Sequence, residues 1–551
     1  MRWTRFSITL GMLALTVAFA AGQGSQLLFG DIDYGYKPPF IAGPHRLVML
    51  SGMGNDRMRA DTANPDAQRW FDYALTLTRA FEHNDAKLAF RKAASLDPSC
   101  SLCVWGEAYS LGPTINFGVR QQQSAAALTL ALRAQRLASP QLPEEDRRLE
   151  SAMVDRYTGV EKSGRSDARY AKDLDEILQS DPANLELNIF DAEAWLIMEL
   201  HDDRSGLAKV VARMTPLVRA HPSYTGLVHF YIHTTEDAGV PQLAEPYVAR
   251  LAELCPNASH LVHMRSHTDY RLGRYEAAAL ANLAALKADK VYAERTDFPT
   301  PLGGLMYHFH DLQFGLASAM MAGDSRIVLR LIDQFNRDFP DPSAYGDRPL
   351  MVAGLAYAAF GRFALPSAVL AAPAAPASKP FLIAMRHYAR GEAFARLGEA
   401  TALRREASEI RLGSGTAGEW PDMFSTTVAI AHLELTGRAD WLAGNLKGAT
   451  TAFRKATDLE DTRFAQDDDP PRWWYPVRRS LAAALLAQGD AKAAEQEADI
   501  VLRTWKLDPI TLAIRSKAEQ ALQDPRARMD WKAASRRWHG DRESLVPGTL
   551  S

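Results

Sequence analysis

Residues 226–270 read GLVHFYIHTTEDAGVPQLAEPYVARLAELCPNASHLVHMRSHTDY, and two histidine pairs inside them set the reading of the whole chain. His229 and His233 are four residues apart, as are His263 and His267, and each member of the second pair follows its counterpart by 34 residues. A period of 34 is the length of one helix-turn-helix unit in a repeat array. Aligning Ala244 with Ala278, at the small position where the two helices of a unit touch, puts Pro256 at the end of one unit and Gly273-Arg274-Tyr275 at a turn. In that frame His229 and His263 share repeat position 5, His233 and His267 position 9, Glu236 and Tyr270 position 12, and His260 takes position 2. These positions form one stripe of a helix, whereas Val228, Ile232 and Thr235 turn toward the partner helix. The spacing therefore predicts a two-by-two array of imidazoles lining a groove.

The same beat runs through the rest of the chain. Trp70, Ala74, Leu77, Ala86, Phe90, Ala93 and Pro98 occupy positions 4, 8, 11, 20, 24, 27 and 32 of a near-complete tetratricopeptide unit. Aligning Gly323 with the repeat turn puts His310 at position 2 and Gln313 at position 5, on the groove line of His260 and His263. Near the end, Leu481, Ala482, Leu485, Gly489, Ala494 and Ala498 fit the frame again. The expected fold is all-α, a tetratricopeptide-repeat-like solenoid of helical hairpins. Its divisions are an extended lead-in at 21–63, an N-terminal array with the histidine-rich groove at 64–365, an Ala/Pro-rich linker at 366–380 (APAAPASKP in its core), a C-terminal array at 381–523 and a capping tail at 524–551.

Residues 1–20 carry Arg2 and Arg5, a twelve-residue apolar run and Ala18-Phe19-Ala20, the pattern of a secretory signal peptide too short to span a bilayer. Export to the periplasm or beyond is expected, and no later apolar run reaches membrane-spanning length. Formal charge is −3, about −5 once Arg2 and Arg5 leave, so there is no basic surplus for nucleic acid or an anionic membrane. Of the three cysteines, Cys100 and Cys103 form a CxxC pair for which a structural disulfide, metal ligation and redox chemistry are all open.

Several short motifs add a resemblance to a family of bacterial tetratricopeptide-repeat proteins with recurrent FNH-x-EA, WG-x-A-x-x-x-GPN-x-N, YIH-x-x-E, HL-x-HMPSH and HN-x-HF segments. Here they stand as Phe81-Glu82-His83; Trp105-Gly106 with Gly112-Pro113 and Asn116; Tyr231-Ile232-His233 with Glu236; His260-Leu261-Val262-His263-Met264-Arg265-Ser266-His267; and His310-Asp311-Leu312-Gln313-Phe314. The resemblance covers roughly residues 67–522 and implies the fold and the place of a site, without implying an activity. Arg265 and Gln313 depart from it, replacing a proline and a histidine.

Seven of the fourteen histidines lie within residues 229–310, where an even spread would place about two. Paired imidazoles at i, i+4 on neighbouring helices are a metal-ligand geometry. The candidate ligands are His229, His233, His263, His267 and Glu236, joined by His260 and His310, with Asp191 and Glu193 as outer support. A divalent transition metal, copper or zinc ahead of iron, suits such donors. Three functions follow. One is a binding protein holding a small ligand or peptide in the concave groove. Another is a metal-dependent oxidoreductase or hydrolase, with Glu236 as general base and Tyr270 as proton donor. The third is a metal-free scaffold for protein partners, with histidines that only hydrogen-bond. His83 and His308 read as structural, and Trp105, Trp473, Trp474 and Tyr475 as interhelical packing. Ser266 lies on a helix without the strained turn of an exposed nucleophile.

Overall fold

The computed structural model describes residues 45–116, 118, 121–158, 165–201, 203–299, 301–413, 421–464 and 470–545. The expected signal peptide at 1–20 and the start of the lead-in lie outside them. The described residues fold into helices joined by short turns, stacked in chain order as a tetratricopeptide-type solenoid. The first unit shows why. Asn64 caps helix Pro65–Arg79 by accepting from the Asp66 and Ala67 amides, and Pro65 starts the helix where its missing N–H costs nothing. Phe71 then meets Phe90 of helix His83–Leu96 edge-on at 5.4 Å, over the buried small residues Ala74, Ala86 and Ala93.

The histidine-bearing repeats follow the predicted frame with one irregularity. Thr225–Asp237 pairs with Glu245–Leu254, and the next unit pairs a broken helix, Ser259–His263 and Arg265–Arg271, with Tyr275–Thr296. The break falls at Met264, between His263 and His267. Arg265 starts the second piece, where the related motif carries proline, a residue that suits a helix start.

Two expectations need correction. The segment 366–380 is more than a linker: Pro366–Ala371 is a helix whose Val369 packs with Ala364, Ala389 and Ala393, and only 372–379 is irregular. The array is also not an open stack with a capped end. The tail returns to the middle of the chain, where Trp538 lies against Gly323 and the His539 amide donates to the Ala322 carbonyl at 2.9 Å. The Lys506 carbonyl presses on Gly273, whose positive φ and missing Cβ allow the approach, and accepts from the Tyr275 hydroxyl at 3.2 Å. Hydrophobic periodicity defines each hairpin's inner side but not the superhelical pitch that brings distant hairpins together.

Cys100 and Cys103 form a disulfide, and Cys255 is buried and unpaired. Trp105 stacks on Tyr109 at 5.3 Å, while Trp473 and Trp474 are buried against Tyr388 and Tyr475. These aromatic side chains pack the core. Among the described residues, no helix is long and apolar enough to cross a membrane.

The lead-in does more than lie along the first repeat. Asn55 and Asp56 accept the Thr225 and Gly226 amides at 3.1 and 2.7 Å, capping the helix that carries His229 and His233. The Gly52 carbonyl likewise accepts the Asn257 amide at 3.0 Å, just ahead of the helix that carries His260 and His263. Burial and the nearby Glu186 carboxylate push Asp56 up to about 6 from its usual 3.8, against hydrogen bonds from Thr225 and Gly226 and the charge of Arg79. The folded chain thus keeps a proton that the unfolded chain has released between about pH 4 and 6, so this group's contribution to stability falls as pH rises through that window. Relative to the wild type, Asp56→Asn removes a decline on the order of 3 kcal/mol between pH 4 and 6. Parallel pH-stability curves for the two proteins, read by chemical denaturation, would contradict the assignment.

Candidate metal centre

Six imidazoles from three consecutive inner helices meet in the core. His229 and His233 come from Thr225–Asp237, His260, His263 and His267 from the broken helix, and His310 from His308–Ala322. Centroids are 5.0 Å apart for His229 and His233, 4.9 Å for His229 and His260, 5.0 Å for His233 and His267, 4.8 Å for His263 and His267, and 4.7 Å for His263 and His310. The predicted two-by-two array becomes two trios. His229, His233 and His260 form one, and His263, His267 and His310 the other. Within each trio one nitrogen per ring lies within 4.8 Å of the others. His260 and His310 complete the two sets.

The cluster does not line an open groove. His229 and His263 are 0% exposed, His260 and His267 2%, and His233 7%, while His310 is half-buried. Phe81 stacks on His260 at 4.3 Å and meets His229 edge-on at 4.8 Å, and Tyr307 lies 5.0 Å from His260. Phe314 closes the other end, 5.1 Å from both His263 and His267. The first repeat therefore comes over the histidines, and a peptide in the concavity would not touch these rings.

Partners of the outer nitrogens fix two tautomers. Asn282 Nδ2 donates to the Ala278 carbonyl at 2.8 Å, so its Oδ1 faces His263 Nδ1 at 2.6 Å and must accept a proton from it. Asp311 Oδ1 lies 3.2 Å from the same nitrogen. His267 Nδ1 donates to Glu236 Oε2 at 2.7 Å. Both Nε2 atoms consequently carry lone pairs when the rings are neutral, yet they lie 2.8 Å apart. His229 and His260 bring their Nε2 atoms to 3.0 Å, the length of an ordinary hydrogen bond from one ring to the other. Among the described residues, His260 Nδ1 and His233 Nε2 are buried without a hydrogen-bond partner. Burial and neighbouring imidazoles push His229, His233, His260, His263 and His310 well below the usual histidine range, toward the neutral ligating form.

Glu236 is not placed as a general base. Burial alone would raise it, but His267 and Arg271 hold it at about 2, with Arg271 Nε donating to Oε1 at 2.6 Å. It orients His267, as a carboxylate behind a ligating imidazole does. Tyr270 packs against Phe314 and Tyr275 at 5.4 and 5.1 Å, one ring removed from His267. Asp191 pairs with Arg213, and Glu193 accepts from Tyr109, so neither supports an imidazole directly. His308 is structural as read, held between Asp289 and Asp338 at 2.7 and 2.9 Å; those bonds outweigh burial and raise it to about 9. His83 differs from its reading: it stacks on Phe81 at 5.4 Å, and its buried Nε2 lacks a hydrogen-bond partner among the described residues. Asn282 and Arg271 escaped the sequence reading. Arg271 had a signal, standing four residues after His267, whereas Asn282 sits on the partner helix with no local mark.

No family model matches the chain, and none of the curated proteins does. Solved structures of similar fold include a human IFIT1 dimer with m7Gppp-AAAA, 13% identical, covering 87% of this chain and 91% of that one with a TM-score of 0.34. The yeast Tom70 is 13% identical over 86% of this chain and 92% of its own, at a TM-score of 0.28. The P58(IPK) TPR domain is 13% identical over 83% and 98%, at 0.22. These likenesses say nothing of ligand or activity.

Replacing Asn282 by Ala removes the shortest of the contacts on His263 Nδ1, leaving Ser266 Oγ at 3.3 Å and Asp311 Oδ1 at 3.2 Å, and lowers stability by about 1–3 kcal/mol in denaturant titration. A loss under about 0.5 kcal/mol would show that this bond does not hold the ring.

Proposed function

We propose that this protein is an exported helical-repeat protein whose buried histidine centre binds a divalent transition metal, copper or zinc ahead of iron. The observation that carries it is the 2.8 Å contact between His263 Nε2 and His267 Nε2, whose rings are both fixed with the proton on Nδ1. Two lone pairs at that distance repel unless a cation lies between them. Neutral imidazoles suit copper, zinc and iron, and the Irving-Williams order favours copper and zinc. The carboxylate behind His267 and the amide behind His263 are the outer partners that ligating histidines commonly have. The Cys100–Cys103 disulfide supports export, since such bonds persist in oxidising compartments.

One observation favours a metal-free alternative. Glu236 pairs with His267 closely enough to support an imidazolium that donates its second proton to His263. Elemental analysis of protein isolated from its native compartment separates the two. Copper or zinc near stoichiometry is expected in the wild type, and its loss in a His233→Ala, His267→Ala double variant that keeps its helical circular dichroism. A wild type that is metal-free as isolated and takes up neither ion on dialysis would leave the shared proton as the better reading.

A further inference from the structure

We infer, resting on the metal-binding reading above, that the centre holds two ions, one in each histidine trio. The six imidazoles divide without remainder: His229, His233 and His260 share no residue with His263, His267 and His310. Each trio also has its own close nitrogen pair, His229 with His260 at 3.0 Å and His263 with His267 at 2.8 Å. Only the second pair meets lone pair to lone pair; the first is an ordinary hydrogen-bond length and gives its trio two nitrogens already held close together. A tetrahedral ion with Zn–N bonds of 2.0–2.1 Å spaces its nitrogens about 3.3 Å apart. Each pair reaches that spacing by opening a few tenths of an ångström, a side-chain adjustment that leaves the helices in place.

Independent support comes from an unpartnered atom. In the first trio His233 Nε2 is buried without a hydrogen bond among the described residues, a cost of about 1–3 kcal/mol for a group left unpaired. A metal on the second trio alone would leave it unsatisfied. Three imidazoles also leave each ion one coordination position short of four, the arrangement of a site that accepts an exogenous small ligand such as water, hydroxide or azide.

The competing arrangement is a single ion between the trios, on His233, Glu236 and His267, whose ligand atoms also lie within 4.8 Å of one another. Glu236 already spends one oxygen on His267 and the other on Arg271, which disfavours it as a ligand. The two arrangements predict different responses at the outer histidines.

The test is Zn(II) titration of the full chain after metal stripping, read by calorimetry and by bound zinc after gel filtration, on the wild type, His229→Ala and His310→Ala. Two zinc ions per wild-type chain are expected, and one in each single variant with circular dichroism unchanged. One ion in the wild type that survives both substitutions would overturn the two-ion centre while leaving metal binding intact. No zinc in any protein would remove the metal reading itself. Should either alanine variant misfold, His229→Gln and His310→Gln keep the volume of the ring and the same stoichiometric readout.

Discussion

Everything distinctive about this molecule follows from imidazole nitrogens that face one another where water cannot enter. In solvent, two histidines at such a distance would each find a water molecule. In the core, the inner nitrogens of His263 and His267 face each other at 2.8 Å, while Asn282 and Glu236 hold the outer ones. A buried polar atom without a partner is costly, and this centre collects several. A fold that tolerates them has either a cation to satisfy them or a shared proton. Six rings in two trios, five of them pushed toward the neutral form, favour the cation.

The rest of the architecture serves to close that chamber. Phe81 sits at a positive φ of 60° at the turn of the first repeat, a strained conformation for a bulky residue, and its ring lies flat on His260. The lead-in caps the helix that carries His229 and His233 and anchors the turn ahead of the helix that carries His260 and His263. The first repeat is also tied to helix Tyr275–Thr296 and to the lead-in, where Asp85 accepts from Tyr292 and from His45 at 2.6 Å. The outcome is a repeat array whose interior is used as a core, with the aromatic side chains Phe81, Tyr307 and Phe314 packed against the histidine rings.

Much of this was legible in the residues themselves. The 34-residue separation of two i, i+4 histidine pairs gave both the repeat frame and the convergence of the rings, because equivalent positions of neighbouring repeats must face the same way. Burial was not legible. Periodicity says which stripe of a helix turns inward, but whether that stripe meets solvent or another repeat depends on contacts between residues far apart in sequence, such as Phe81 with His260 and Gly273 with Lys506. The grouping into trios escaped for a related reason. The frame paired His229 with its equivalent His263, whereas the break at Met264 and the packing of the rings join His229 to His260 and His263 to His310. Glu236 kept its place beside the histidines and changed its role, because Arg271 engages its second oxygen.

X-ray absorption at the metal edge of protein purified from its native compartment probes the central claim most directly, since it reads the ligand atoms themselves. Ion binding by the buried trios predicts copper or zinc with a first shell dominated by nitrogen at about 2.0–2.1 Å and the outer-shell scattering of imidazole rings. A first shell of sulfur, a shell of oxygen alone, or no edge above background would contradict it.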